Sequence, residues 1–252
     1  MAEPALLSAV VLSRRFGGLA AVDAVSIDLG VGEIHAVIGT NGAGKSTLVN
    51  MLSGELAPSA GSVMFAGHDV TRWPQPRRAR AGLGRTYQRT TIFGEFSVLE
   101  NCRLAAQAQA PRPWPFWERA ARDRTSLDAA AQALDAAGLA GMASRSAGTL
   151  SHGAKRQLEI AMCLATAPRA LLLDEPLAGM GAEESGRMLA LLTALKARHA
   201  ILLVEHDMDA VFKVADHITV MVNGRVIASD SPERIRNNPG VREAYLGDTD
   251  II

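Results

Sequence analysis

Residues 39–47 read GTNGAGKST, and the apolar run IHAVI at residues 34–38 leads directly into them. The spacing matches G-x-x-x-x-G-K-S/T, the glycine-rich loop that binds phosphate groups between a strand and a helix. Because glycine has no side chain, the backbone N–H groups can close around phosphate oxygens, and the helix N-terminus adds favourable potential. The stretch therefore predicts an α/β fold that binds a nucleotide, with Lys45 at the β- and γ-phosphates and the Ser46 hydroxyl at Mg²⁺.

Strand and helix patterns alternate on both sides of this loop. Strands are predicted at 5–12, 22–29, 34–38, 62–67, 170–175, 201–205 and 217–222, and helices at 45–56, 151–166, 182–198 and 207–215. Short, continuously apolar strands in the C-terminal half are typical of a sheet that is covered on both faces, which means a mainly parallel sheet. Asn223-Gly224 is a strong hairpin signal, so an antiparallel strand should follow it.

The region from about 91 to 148 differs from the rest of the chain. It is rich in alanine and carries the helical patterns VLENCRLAAQA and SLDAAAQALDAAGL, which the aromatic segment PRPWPFW at 111–117 separates. These patterns predict a helical insertion into the α/β domain.

Composition excludes some classes of function. The chain of 252 residues is 48% hydrophobic, long enough for one large α/β domain with an insertion. Its 26 basic and 26 acidic residues cancel, so bulk charge gives no argument for a nucleic-acid partner or an anionic membrane surface. The N-terminus lacks the pattern of a secretory signal, and no apolar run reaches the 18 residues of a membrane span. Cys102 and Cys163 lack metal-ligand spacing and are interpreted as ordinary buried thiols.

An acidic pair, Asp174 and Glu175, follows the predicted strand ALLL at 170–173. Ligands of open α/β sheets lie at the carboxyl ends of the strands, so the pair suits Mg²⁺ organisation by Asp174 and polarisation of an attacking water by Glu175. On its own such a pair is more often a helix cap or surface charge; the glycine-rich loop upstream favours the functional interpretation.

Two further candidates depend on the same context. His206 follows the strand ILLVE and is predicted to contact the γ-phosphate, although a lone histidine at a strand end is usually structural. Gln88, in RTYQ, lies just ahead of the helical insertion, whereas an isolated loop glutamine is normally only solvated.

Taken together, these motifs resemble those of ABC transporter ATPase subunits. The match consists of GTNGAGKST, the glutamine of RTYQ, LSHGAKRQLEIA, LLLDEP, LAGM and the histidine of VEHDM, in that order along essentially the whole chain. The resemblance implies one domain with a P-loop NTPase fold: a RecA-like core plus antiparallel β subdomain at 1–90 and 149–252, and a helical subdomain at about 91–148.

The resemblance also implies a head-to-tail dimer, in which the helix beginning at Ser151 and Gly153 closes over ATP held by the other subunit. Glu175 would be the catalytic base and His206 the switch residue on the γ-phosphate, while Gln88 would contact Mg²⁺ or the attacking water. The implied nucleotide contacts are Phe16 against adenine, Gly39, Thr40, Asn41, Gly42, Ala43, Gly44, Lys45, Ser46, Thr47, Ser151 and Gly153. The implied metal ligands are Ser46, Gln88 and Asp174.

The stretch LSHGAKRQLEIA at 150–161 raises a question of charge. Ser151 is a good N-cap, yet Lys155 and Arg156 lie in the first turns, where the helix dipole disfavours cations. Either an incoming phosphate reverses this charge problem, or both side chains simply point to solvent. Two positions depart from the family pattern: Ala154 replaces a common glutamine, and Thr40 replaces a common proline.

The finer resemblance is to the branched-chain amino acid class of bacterial importers, through GLGRTYQRTTIFGEFSVLENCRLAAQA, LEIAMCLAT and the closing NNPGVREAYLG. It implies two membrane permeases, a sibling or identical ATPase and, indirectly, a periplasmic binding protein, with this chain on the cytoplasmic face of the inner membrane and no nucleic-acid partner. Two alternatives stay open: the ATPase of an envelope lipid or lipopolysaccharide exporter, and a soluble ABC ATPase that acts on nucleic acid.

Overall fold

A computed structural model describes residues 5–88, 90–109 and 123–246 of the chain. The strands are β1 (Leu7–Phe16), β2 (Leu19–Leu29), β3 (Ile34–Gly39), β4 (Ala60–Phe65), β5 (His68–Asp69), β6 (Leu83–Arg85), β7 (Ala170–Asp174), β8 (Ala200–Val204), β9 (His217–Val222) and β10 (Arg225–Asp230). The helices are α1 (Lys45–Ser53), α2 (Gln75–Arg80), α3 (Val98–Gln107), α4 (Arg124–Ala136), α5 (His152–Leu164), α6 (Ala182–Lys196), α7 (Met208–Val214), α8 (Pro232–Arg236) and α9 (Pro239–Leu246).

The central sheet has six strands in the order β10-β9-β3-β8-β7-β6. All neighbours pair in parallel except β10, which pairs antiparallel with β9. Every residue of β3, β7 and β8 is buried, because alternate side chains enter cores on opposite faces. Leu172 and Leu202 pack in one core with α1, whereas Leu171 and Ile201 pack in another with α6. The predicted parallel sheet and its antiparallel last strand are thus confirmed.

A second, antiparallel sheet has the order β2-β1-β4-β5 and shares the core on the α1 side of the central sheet. Helices α3 and α4 pack with the apolar face of α5 into a separate core, in which Cys102 and Leu158 are fully buried. The predicted antiparallel and helical parts are therefore both present. The aromatic segment 111–117 lies outside the described residues, and the division of the chain at 90 and 149 stays a prediction.

The predicted helix 45–56 ends earlier, at Ser53. Gly54 has φ +84° and its N–H donates to the carbonyls of Asn50 and Met51, which is a left-handed C-cap. Among the helices of the described residues, none is both long and apolar enough to cross a membrane.

Both cysteines are free thiols, and burial raises the pKa of each to about 12. The interpretation as ordinary buried thiols agrees with this environment, because a protonated thiol is a poor nucleophile.

A buried arginine closes the C-terminal end of α1. Arg78, 1% exposed, donates to the carbonyls of Met51 and Leu52 at 2.8 and 2.7 Å, and to those of Thr71 and Trp73 at 2.9 and 3.1 Å. The last carbonyls of a helix have no intrahelical partner, so this one side chain satisfies two of them.

We expect Arg78→Ala to lower the free energy of unfolding by about 3 kcal/mol, because it leaves several buried carbonyls unpaired. Urea denaturation of the purified chain measures this change. Arg80→Ala, on the exposed side of the same helix, is the matched control and should change stability by less than about 0.5 kcal/mol. Equal stabilities of the two variants would contradict the capping role.

Candidate nucleotide-binding site

The glycine-rich loop connects the end of β3 to the start of α1, and neighbouring backbone fixes its course. Gly44 has φ +98°, and a side chain there would place its Cβ 2.2 Å from the carbonyl oxygen of Ala21. A Cβ on Gly39 would lie 2.3 Å from the carbonyl oxygen of Met221. Gly44 caps α1 without a side-chain hydrogen bond, and the first turn has no acidic residue. The N-terminus of α1 therefore presents its N–H groups to an anion.

Lys45 is buried at the base of this loop. Its Nζ donates to the carbonyls of Gly39 at 2.6 Å and Thr40 at 3.1 Å. Burial lowers the pKa of this ammonium, while the nearby carboxylates of Glu175 and Asp174 oppose that shift. The Lys45 side chain is thus hydrogen-bonded to the same loop that is predicted to bind the phosphates.

A cavity of about 500 Å³ opens over the loop. The predicted residues that line it are Asn41, Gly42, Ala43, Gly44, Lys45, Ser46, Thr47, Gln88 and Glu175. Five lining residues were not predicted: Leu19, Ala20, Ala21, Asn223 and Gly224. The last two belong to the hairpin, whose Asn-Gly signal indicated a turn but gave no sign of its place beside the loop.

The structure brings two predicted catalytic residues into contact across the cavity. The Nε2 of Gln88 donates to Oε2 of Glu175 at 3.2 Å. Glu175 has φ +49°, a left-handed conformation that costs a non-glycine residue about 1–2 kcal/mol. Its N–H donates to the carbonyl of Val204 at 2.9 Å, which helps to hold this backbone. Strain of this kind concentrates at functional sites.

Asp174 ends β7 and is 3% exposed. Its Oδ1 has no hydrogen-bond partner in the described parts of the chain. Burial raises the pKa of this carboxyl, and the charge of Arg85 opposes the shift. A buried carboxylate oxygen without a partner requires an explanation, and a bound cation or its water supplies one.

The donor set suits Mg²⁺. The described residues contain no cluster of three or more His, Cys, Asp or Glu side chains that could hold a metal alone. Mg²⁺ in phosphate-binding sites needs no such cluster, because one or two protein oxygens combine with waters and the substrate phosphates. The Ser46 hydroxyl, the Gln88 amide and the unpartnered Asp174 oxygen fit that requirement.

Seven of the predicted residues are not among those that line the cavity, namely Phe16, Gly39, Thr40, Ser151, Gly153, Asp174 and His206. The His206 side chain is 60% exposed, with Nδ1 3.8 Å from Oε2 of Glu205. Phe16 is 47% exposed, and the guanidinium of Arg14 lies 4.7 Å from its ring centroid. Their roles stay predictions.

Sequence analysis missed Glu205, a buried carboxylate that hydrogen-bonds to two backbone segments of the site. Glu205 is fully buried and accepts from the N–H of Leu177 at 2.8 Å and from the N–H of His206 at 3.3 Å. It thereby links the turn after Glu175 to the segment that carries His206. A carboxylate at the end of an apolar strand was the signal that could have indicated it.

The N-terminus of α5 already holds an anion. Ser151 Oγ accepts from the N–H of Ala154 at 3.3 Å, which confirms the predicted N-cap, and donates to Oε1 of Glu184 at 2.8 Å. A Cβ on Gly153 would lie 2.7 Å from the Glu184 carboxyl carbon, so the close approach requires glycine. Glu184 supplies the negative charge that this end favours, from 33 residues away in the chain.

The interpretation that Arg156 points to solvent is wrong. Its side chain is 6% exposed and donates to the carbonyls of Tyr87 and Gln88 and to the carboxylate of Glu159. It therefore does not point to solvent, and the effect of an incoming phosphate on the charge at this helix end stays a prediction. Lys155, its neighbour, is half-buried.

Comparison with known proteins agrees with this geometry. A family model described as ABC transporter matches residues 22–178. A second, described as branched-chain amino acid ATP-binding cassette transporter, matches residues 225–251.

Individual relatives match nearly the whole chain. BraF of Pseudomonas aeruginosa, a high-affinity branched-chain amino acid transport ATP-binding protein, is 39% identical over 94% of this chain and 96% of its own. LivG of Escherichia coli, of the same description, is 40% identical over 98% and 100%. Two crystal structures, a nucleotide-free ATP-binding cassette from an ABC transporter and the ADP conformation of the cassette MJ1267, each align with a TM-score of 0.86, at 31% identity, over 96% of this chain and 99% of theirs.

Proposed function

The chain belongs to the ABC transporter ATP-binding family, and from that premise we propose that it is the ATP-hydrolysing motor of an importer for branched-chain amino acids or related small polar compounds. The match of residues 225–251 to the branched-chain class supports the importer over an envelope exporter or a soluble ATPase. The observation that carries the ATPase assignment is the cavity in which the phosphate-binding loop faces Gln88 and Glu175.

Within this cavity the roles follow from position and charge. Lys45 and the N–H groups of residues 42–47 neutralise the phosphates, and Phe16 stacks on adenine beside Leu19, which lines the cavity. Glu175 accepts the proton of the attacking water, and Gln88, whose Nε2 lies 3.2 Å from Oε2 of Glu175, orients that water. Phosphoryl transfer needs such positioning and charge stabilisation more than covalent chemistry.

Mg²⁺ would be held by Ser46, Gln88 and Asp174, and when bound it supplies charge neutralisation on the β- and γ-phosphates. The buried Asp174 oxygen without a protein partner supports this assignment. The His206 ring, largely exposed beside the buried Glu205, would contact the γ-phosphate once a nucleotide and a partner subunit are present.

Ser151 and Gly153 would bind the γ-phosphate of ATP held by a second ATPase subunit, identical or sibling. These residues do not line the cavity of their own chain, yet they form a helix N-terminus that already accommodates the Glu184 carboxylate. An ATP bridged by two chains closes the dimer, and hydrolysis removes the bridge.

The permease subunits would dock on the cleft between the core and the helical part. This cleft, of about 360 Å³, is lined by residues of α2, α3 and α5, among them the apolar Pro76, Ala105 and Met162. It borders Tyr87, next to Gln88, so a membrane-embedded partner there would sense nucleotide-dependent movement. A periplasmic binding protein would act through the permeases.

Co-purification of the tagged chain from its native membranes tests the assignment, with stoichiometric partners identified by mass spectrometry. We expect two multi-span permeases and an ATPase subunit, with localisation on the cytoplasmic face of the inner membrane. Recovery of exporter components, or of ribosomes or DNA without a permease, would overturn the importer function while leaving the ATPase chemistry intact.

A further inference from the structure

Arg156 and Glu159 of α5 form a buried ion pair that hydrogen-bonds to the loop carrying Gln88. The guanidinium donates through Nη1 to the carbonyl of Tyr87 at 2.8 Å and through Nη2 to the carbonyl of Gln88 at 2.6 Å. The Nη1 also donates to Oε2 of Glu159 at 3.0 Å. The planar fork of a guanidinium fixes the direction of both carbonyls at once.

Glu159 hydrogen-bonds to the part of the loop that follows Gln88. Oε1 of Glu159 accepts from the N–H of Thr91 at 2.8 Å. Arg156 and Glu159 are only 6% and 4% exposed, so these contacts are shielded from water and salt. Burial raises the pKa of the Glu159 carboxyl, and the Thr91 N–H and the Arg156 charge counteract that shift.

Stability alone gives little reason for such a pair. A buried ion pair is often no more stabilising than apolar side chains of the same volume, because both ions lose their hydration. Two apolar residues could fill the space, but they could not fix the carbonyls of residues 87 and 88. The contacts of this pair therefore indicate a role in placing the loop.

The residue that this loop places is Gln88. The backbone carbonyl of Gln88 accepts a hydrogen bond from Arg156, and its side-chain amide donates one to Oε2 of Glu175. The N-cap of the same helix is Ser151, five residues before Arg156, which corresponds to a rise of about 7.5 Å along an α-helix.

We propose that Arg156, supported by Glu159, is a positioning residue that fixes Gln88 to α5, so that contact of the α5 N-terminus with ATP of the partner subunit aligns Gln88 at the nucleotide of its own chain. This inference rests on the proposed function, because the contact in trans belongs to it. One continuous helix thus links the two nucleotides of the dimer.

Arg156→Lys is the test variant, because it keeps the positive charge beside Glu159 and loses the fork that spans both carbonyls. We expect kcat for MgATP hydrolysis by the full chain to fall roughly tenfold, since small misplacements of a catalytic group have large effects on rate. The KM for ATP should change little, because Lys45 and the loop are untouched. The N–H of Thr91 should exchange with solvent deuterium faster than in the wild type.

Arg187→Lys is the matched control. Arg187 pairs with Glu183 one turn away on α6, but its side chain is 56% exposed, and its hydrogen-bond partner within the described residues is Glu183. Its kinetics and its Thr91 exchange should equal those of the wild type.

A double variant separates positioning from general stability. In a Gln88→Ala background, Arg156→Lys should have almost no further effect on kcat, because the residue through which it acts is gone. The proposal would be overturned if Arg156→Lys lowered kcat in the Gln88→Ala background by the same factor as in the wild type. It would also be overturned if Arg156→Lys alone kept the wild-type kcat and the wild-type exchange rate of Thr91.

Two further outcomes are distinguishable. If Arg156→Lys does not fold, the charge-neutral variant Arg156→Gln/Glu159→Gln replaces it, with the same expected loss of kcat and faster Thr91 exchange. If the wild type and Arg187→Lys hydrolyse no ATP, the proposed function is at fault, and the exchange of Thr91 still decides the role of Arg156.

Discussion

Lys45→Ala should weaken ATP binding by about a hundredfold or more. The ammonium is the one side-chain cation that lines the loop cavity within the described residues, and hydrogen bonds from a charged donor contribute about 1.5–3 kcal/mol each. Loss of two phosphate contacts therefore corresponds to about 3 kcal/mol or more, which is a factor of at least about 10² in Kd. Titration calorimetry with MgATP measures the change.

Lys213→Ala, on the exposed surface of α7, is the control for Lys45→Ala and should bind ATP as the wild type does. Thermal unfolding without nucleotide should give similar midpoints for both variants. If Lys45→Ala bound ATP with unchanged affinity, the assignment of residues 39–47 as a phosphate-binding loop would have to be abandoned.

Glu175→Gln should bind MgATP normally and lower kcat by about 10² to 10⁴, the range that a general base contributes. The amide keeps the size of the side chain and its hydrogen-bonding capacity toward Gln88, so the geometry of the cavity is retained. Without a base the bridging ATP persists, and the variant should accumulate as a dimer on a sizing column in the presence of MgATP.

The control for Glu175→Gln is Glu183→Gln, whose side chain is 86% exposed on α6. It should hydrolyse ATP like the wild type and show no added dimer. A Glu175→Gln chain that remained monomeric with MgATP would count against the arrangement in trans, whereas full activity would remove Glu175 from the catalytic role.

Much of the site followed from the sequence because its parts are local. The spacing from Gly39 to Thr47 dictates a tight turn between a strand and a helix whatever the rest of the chain does, so the loop and its position were predictable. Asp174 and Glu175 were predictable for a related reason, since the carboxyl ends of parallel strands meet at one edge of the sheet. The Asn223-Gly224 hairpin likewise followed from two residues.

The contacts of α5 were not predictable in this way. Periodicity located the helix and Ser151 its start, but no pattern indicated that Arg156 turns inward to residues 87 and 88, or that Glu184 reaches the helix N-terminus. Glu205 was hidden for the same reason, because its partners are backbone N–H groups whose arrangement the chain fixes only on folding. Local spacing determines which backbone conformations the chain can adopt, whereas the burial of a charge is decided by which distant segments pack around it and offer it partners.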